Sequence, residues 1–216
     1  MGASTPKQFL MLGGVPVLAH ALRVLEEATA IAAIILAVPE ADRDFCLREI
    51  VAPYGFKKVS QIVPGGLERQ DSVRQALDAM PEASDMVVVH DAVRPFLTTE
   101  MVDRVIAAAM ATGAAIVAVP VRDTVKQVDD KGRIVTTVDR RHLWLAQTPQ
   151  AFRRALLQDA HRKAAREGFR ATDDAQLIEW LGGPVAIVEG STENIKITRP
   201  EDLALGEAIL TARARR

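Results

Sequence analysis

One cysteine, Cys46, occurs in 216 residues. That excludes an internal disulfide and a zinc site built on thiolates, and it suits a cytoplasmic protein. His20, His90, His142 and His161 share no metal-ligand spacing. No serine–histidine–aspartate or cysteine–histidine arrangement stands out, and no protein nucleophile is evident. No apolar run is long enough to span a bilayer, and no signal-peptide pattern is visible. Charge of one sign is also missing: 27 basic and 28 acidic residues leave a net −1. Nothing in bulk draws such a chain to nucleic acid or to a membrane, and any phosphate site must be a local cluster.

Hydrophobic residues make up 49% and charged residues 25%, the balance of an ordinary globular protein. The length suits one α/β domain over residues 1–216. Short β-branched runs alternate with helical patterns, which predicts a mostly parallel sheet with helices on both faces. Helices are expected over residues 16–27, 41–50, 69–80 and 99–112, with Thr98 or Thr99 capping the last. Strands are expected over 31–38, 59–63, 86–90 and 114–119. Val87 to Val89 read as a strand buried on both faces. The pattern changes at Pro120. Alternating segments flank the turn Asp129-Asp130-Lys131-Gly132, giving a β-hairpin arm over 121–142 with no core of its own. Helices over 149–168, 173–181 and 200–212 and a strand over 185–188 follow.

Chemistry is sought where strands end. In His90-Asp91-Ala92-Val93-Arg94-Pro95 a buried strand stops in an acid and a base, at the sheet edge where α/β proteins bind ligands. A carboxylate there can hold a metal ion or a hydroxyl, and a guanidinium a phosphate. A plain strand-end ion pair is the competing reading. Gly65 and Gly66 precede a helix and present N–H groups near its positive end, with Ser72 in the first turn, which suits a nucleotide but also a simple connector. Thr124 and Arg140 lie at the base of the hairpin, where they reach a neighbour's site if the chain dimerises. Thr148 is either a ligand contact or a helix cap. Lys196 alternates with Ile195 and Ile197 and so faces a cleft or water. Lys7 is a lone lysine in a loop. Basic groups around one acid at sheet ends are the kit of phosphoryl or nucleotidyl transfer.

Together these blocks resemble the 2-C-methyl-D-erythritol 4-phosphate cytidylyltransferase family. The matching stretches are Pro6-Lys7-Gln8-Phe9, Gly65-Gly66 with Arg69-Gln70-Asp71-Ser72-Val73, and His90 through Pro95. They continue with Pro120-Val121-Arg122-Asp123-Thr124, Thr137-Val138-Asp139-Arg140, Leu145-Ala146-Gln147-Thr148-Pro149-Gln150, and Asn194-Ile195-Lys196-Ile197-Thr198-Arg199-Pro200-Glu201-Asp202. The resemblance implies a nucleotide-diphospho-sugar transferase type of fold, a homodimer joined through the arm, and CTP, methylerythritol phosphate and Mg²⁺ as reactants and cofactor. It implies catalytic roles for Lys7, Arg140 and Lys196, substrate contacts at Asp91, Arg94, Thr124 and Thr148, nucleotide contacts at Gly65, Gly66 and Ser72, and Asp91 as metal ligand. Family members open with a buried strand and a glycine-rich loop, roughly Pro-Ala-Ala-Gly-x-Gly-x-Arg-Met, and this sequence opens at the match of that methionine. The neighbours of that strand are then expected to carry unpaired backbone. The chain as written is expected to bind CTP poorly and to turn over slowly or not at all, with a misassigned start favoured over a truncation. Two other readings stay open: transfer to another polyol phosphate, and a non-catalytic dimer.

Overall fold

The computed structural model describes residues 6–215. Of the opening loop expected over residues 1–10, residues 1–5 lie outside the described residues and Lys7–Phe9 form a 3-10 turn. A two-residue ladder, Met11–Leu12 against Val15–Pro16, turns through Gly13 and Gly14 at φ 57° and 74°. Two successive positive φ values are what a tight hairpin needs and what glycine gives without strain. Helix α1 (Val17–Glu27) follows with Pro16 as its N-cap and Val17, Leu18 and Leu22 buried.

Strands β1 (Ile34–Val38) and β2 (Val59–Pro64) pair in parallel. The helix expected between them is one segment of mixed winding with a π turn at Cys46–Val51. Pro53 has no N–H to return to the carbonyl of Glu49, so regular i→i−4 bonding fails just ahead of it. Helix α2 (Arg69–Asp78) comes next.

A second sheet holds β3 (Met86–Val89), β4 (Ala114–Pro120), β7 (Trp144–Arg153) and β8 (Ala186–Glu189), in the order β8-β4-β7-β3. Strand β8 is parallel to β4, and β7 is antiparallel to both β4 and β3. Three strands therefore run one way with β7 reversed between them. Adjacent residues of β4 serve opposite layers. Ala114 packs with Phe152, Leu77 of α2, Leu157 of α4 (Arg154–Glu167) and Leu177 of α5 (Asp174–Trp180); Ala115 packs with Val105 and Ala109 of α3 (Thr99–Thr112). Thr98 Oγ1 caps α3 by accepting from the Met101 N–H at 3.2 Å. Helix α6 (Pro200–Arg213) closes the chain with proline in its first turn.

Two expectations change. The valines of β3 are half-buried, because among the described residues this strand has one partner, β7. Strand β1 likewise pairs only with β2. And residues 149–153, expected to begin a helix, extend β7 instead. The register between β7 and β4 shifts across Gln147, Thr148 and Pro149. Pro149 thus sits in a bulge, where its missing N–H breaks no ladder bond. The hairpin, β5 (Lys126–Val128) with β6 (Ile134–Thr137), is antiparallel and exposed throughout. Its turn is tied by Asp129 Oδ1, which accepts from the N–H groups of Lys131 and Arg133.

Candidate active site

At the end of β3 the chain breaks from the ladder and is fixed by a small polar network. The His90 ring meets the Arg94 carbonyl through Nε2 at 3.0 Å and the Thr148 hydroxyl through Nδ1 at 3.1 Å. A carbonyl only accepts, so Nε2 carries the proton and Nδ1 accepts from Thr148. Thr148 Oγ1 in turn accepts from the Asp91 N–H at 3.0 Å. The β7 bulge thereby aims Thr148 at the strand end. Burial pushes the His90 pKa down to about 4, against the pull of the Arg94 carbonyl and Asp91.

This gives a first prediction. The unfolded chain takes up the His90 proton below its ordinary pKa near 6.5, and the folded chain only near 4. Stability from this group is complete above pH 6.5 and is lost as pH falls towards 4, by at most about 3 kcal/mol for the partly buried ring. Urea unfolding at pH 7.5 and 4.5 should show a smaller acid loss in His90→Gln than in the parent.

Asp91 is the centre of the cluster. Its Oδ1 accepts from Arg69 Nε at 3.0 Å. Its Oδ2 lies 3.0 Å from Lys196 Nζ and 3.5 Å from Arg94 Nε. Burial alone would raise its pKa, but Arg69 and Lys196 outweigh that and hold it at about 2. The segment carrying Lys196 is docked by main-chain contacts: Ile197 N–H to the Val93 carbonyl at 2.8 Å, and Arg94 Nη1 to the Asn194 carbonyl at 2.8 Å. Buried Asn194 donates to the Thr148 carbonyl at 2.9 Å and to Gln147 Oε1 at 3.2 Å. Lys196 thus meets Asp91, with its side chain still 42% exposed.

Four expected residues therefore converge: Asp91, Arg94, Thr148 and Lys196. The glycine block sits beside them, since Arg69 opens α2 from it. The N–H groups expected to be free are both engaged, Gly65 with the Val38 carbonyl at 2.7 Å and Gly66 with Ser72 Oγ at 3.0 Å. A nucleotide contact at Gly65, Gly66 or Ser72 has to exchange with these bonds. A Cβ on Gly66 would lie 2.2 Å from Asp71 Cβ, so no side chain fits there. Lys7 is exposed on a short 3-10 turn whose Phe9 packs with Val38 and Ala92. Thr124 and Arg140 are exposed on the arm, and Arg140 Nη1 donates to the Arg122 carbonyl. Neither touches the Asp91 cluster within one chain. Nothing local in the sequence marks Arg69, Asp174 or Asn194 as site residues, because the side-chain bonds that tie them into the site span 22 to 105 residues.

A family model described as IspD: 2-C-methyl-D-erythritol 4-phosphate cytidylyltransferase matches residues 1–212. The chain belongs to this family. It is 52% identical over 211 residues to the 2-C-methyl-D-erythritol 4-phosphate cytidylyltransferase of Syntrophotalea carbinolica, covering 97% of this chain and 90% of that one. It is 50% identical over 210 residues to that of Syntrophus aciditrophicus, with the same coverage. Among solved structures, the Thermus thermophilus cytidylyltransferase superposes with TM-score 0.82 at 39% identity, over 97% of this chain and 96% of that one. The Anaerococcus prevotii 4-diphosphocytidyl-2C-methyl-D-erythritol synthase gives TM-score 0.88 at 32% identity, over 97% and 92%. The fold is that of the family, and the chain is a nucleotidyltransferase.

The residues present fit a divalent metal of one kind. Among the described residues no group of three or more His, Cys, Asp or Glu forms a cage. Asp91 stands alone as the carboxylate at the strand end. That donor set suits an ion held by one carboxylate and by substrate phosphates, as hard cations that keep their waters prefer. Lys196 must then leave Oδ2.

Proposed function

We propose that this chain transfers CMP from CTP to 2-C-methyl-D-erythritol 4-phosphate and releases pyrophosphate. The observation that carries the reading is the cluster at the end of β3, where Lys196, Arg94 and Arg69 face Asp91 and Asp174, three cations against two carboxylates. The surplus positive charge suits an anionic acceptor. A phosphate oxygen of the acceptor attacks the α-phosphorus of CTP in line. One P–O bond forms, the bond to the β-phosphate oxygen breaks, and pyrophosphate leaves with its electron pair. Both reactants are anions, so catalysis rests on positioning and charge neutralisation.

In this reading Lys196 passes from Asp91 to the acceptor phosphate, with Arg94 and Thr148 beside it. Lys7 neutralises charge at the α-phosphate, and Gly65, Gly66 and Ser72 meet the cytidine. Asp91 would hold Mg²⁺, which would supply Lewis-acid neutralisation of developing charge. The arm serves a homodimer: Val128, Ile134, Val135 and Leu145 are each more than half exposed, apolar surface that a second copy covers. Arg140 and Thr124 then complete the partner's site. Among the described residues no helix is long and apolar enough to cross a membrane, and phosphorylated substrates suit a cytoplasmic enzyme.

The test is pyrophosphate release from CTP and Mg²⁺ with methylerythritol phosphate against a panel of sugar and polyol phosphates. The expected result is turnover fastest with methylerythritol phosphate. Faster turnover with another acceptor overturns the substrate. No turnover, with no heat of CTP binding in calorimetry, favours the non-catalytic dimer.

A further inference from the structure

Asp174 is a carboxylate only 1% exposed, at the first turn of α5. Its Oδ2 accepts from Arg69 Nη1 at 2.7 Å, and its Oδ1 faces His161 Nε2 at 3.3 Å. Arg69 spends its Nε on Asp91 Oδ1. Its remaining nitrogen, Nη2, is buried without a partner, so the guanidinium depends on these two carboxylates. A continuous chain of contacts therefore runs from Lys196 through Asp91, Arg69 and Asp174 to His161.

A buried ion pair is a poor device for stability, because desolvation offsets most of its attraction and apolar replacements are often as stable. This one is also built with care. Asp173 caps α5 by accepting from the Gln176 N–H at 3.0 Å, and it accepts from Gln150 Nε2 at 2.9 Å. Gln150 Oε1 accepts from the Ala175 N–H at 3.2 Å. The helix start that presents Asp174 is thus pinned to β7, the strand that also carries Thr148.

Consider the cluster without Asp174. Arg69 would have Asp91 as its one counter-charge. It would follow that carboxylate whenever Asp91 moved, or be left buried and unpaired when a ligand took Asp91 over. With Asp174 in place, the shorter bond anchors Arg69 from behind. Arg69 then holds Asp91 by Oδ1 alone, which leaves Oδ2 to Lys196 and Arg94. Oδ2 can exchange Lys196 for a ligand without either arginine or carboxylate losing its last partner.

We propose that Arg69 and Asp174 are positioning residues of the transfer reaction: Asp174 fixes the Arg69 guanidinium, and Arg69 fixes the Asp91 carboxylate with Oδ2 turned to Lys196. Neither need touch a reacting atom. The proposal rests on the functional reading above for its kinetic arm, but its geometric arm stands alone.

The experiment uses Asp174→Asn in the full chain, alone and combined with Asp91→Asn. Two readouts are taken. The first is the ¹⁵N resonance of the Arg69 Nε–H, assigned by its loss in Arg69→Lys. In the parent it is a slowly exchanging signal, and in Asp174→Asn it should broaden or exchange several-fold faster. The second is kcat/KM for methylerythritol phosphate, expected to fall roughly tenfold in Asp174→Asn and less than twofold further when Asp91→Asn is already present. An unchanged Arg69 signal overturns the proposal whatever the reaction proves to be. So does an equal fall on both backgrounds, which marks a merely structural role. An altered Arg69 signal with no turnover by the parent upholds the positioning geometry and defeats the functional reading instead. Should Asp174→Asn fail to fold, Arg69→Lys takes its place in the kinetic cycle. It keeps the charge and loses the forked geometry, and its fall must likewise vanish on the Asp91→Asn background.

Discussion

Asp91→Asn is expected to lower kcat/KM for methylerythritol phosphate on the order of 10²–10³-fold while the protein stays folded. The amide keeps the shape of the side chain and can still accept from Arg69. It cannot balance Arg69, Lys196 and Arg94 together, and it is a weak ligand for a hard cation. Lys196, 3.0 Å from Oδ2 in the parent, loses the group that orients it. The same substitution has a signature in acid. The carboxyl of Asp91 titrates at about 2, below the ordinary 3.8. A depressed carboxylate contributes stability above its unfolded pKa and loses it as pH falls through the folded one. The shift corresponds to about 2 kcal/mol, lost between pH 4 and 2. Urea or thermal unfolding across that window should show the loss in the parent and its absence in Asp91→Asn. A variant that keeps full activity, or that loses stability in acid as the parent does, contradicts this assignment of Asp91.

The convergence of Asp91, Arg94, Thr148 and Lys196 was legible in the sequence to an uneven degree. Asp91 and Arg94 stand where a β-branched run meets a proline, and that local signal is enough to put them at a strand end. Alternation with two isoleucines left Lys196 facing either cleft or water. Only the tertiary contact of Ile197 with Val93 brings it to Asp91. Thr148 was ambiguous for a related reason. Pro149 reads as the start of a helix because helices tolerate proline there, and nothing local says that β4 offers it a bulge. The linkage of Arg69, Asp174 and His161 has no local signal. An arginine in a first helical turn and an Asp-Asp pair before a helix are each ordinary. Their meaning lies in a pairing 105 residues apart in sequence, which propensity and spacing do not carry. The alternation of strands and helices, the arm and the Thr98 cap are local features. The Thr98 cap and most strands and helices reappear where these local signals put them, while the helix expected from 149 starts at Arg154.

The arm allows a test that separates a shared site from a private one. Arg140→Ala and Lys196→Ala are each expected to cut turnover by roughly 10²-fold or more, since each removes a cation from an anion–anion reaction. The informative step is to mix the two variants, unfold or dissociate them, and let them reassemble. Within one chain Arg140 stands on the exposed arm, bonded to the Arg122 carbonyl, without contact to Lys196 or Asp91. If Arg140 serves the partner, a mixed dimer has one site with both cations and one with neither. Random pairing at equal amounts makes half the dimers mixed, so about a quarter of all sites are restored, and with them about a quarter of parent activity. If Arg140 folds back onto its own cleft, every site in every dimer lacks one cation and mixing restores nothing. A chain that stays monomeric at micromolar concentration with its hairpin folded removes the shared site at once. The mixing result carries the further consequence that Val128, Ile134 and Val135, exposed on the arm of a single chain, are covered in the active enzyme. An aspartate at Val135 should then abolish turnover and reassembly together, without touching the Asp91 cluster.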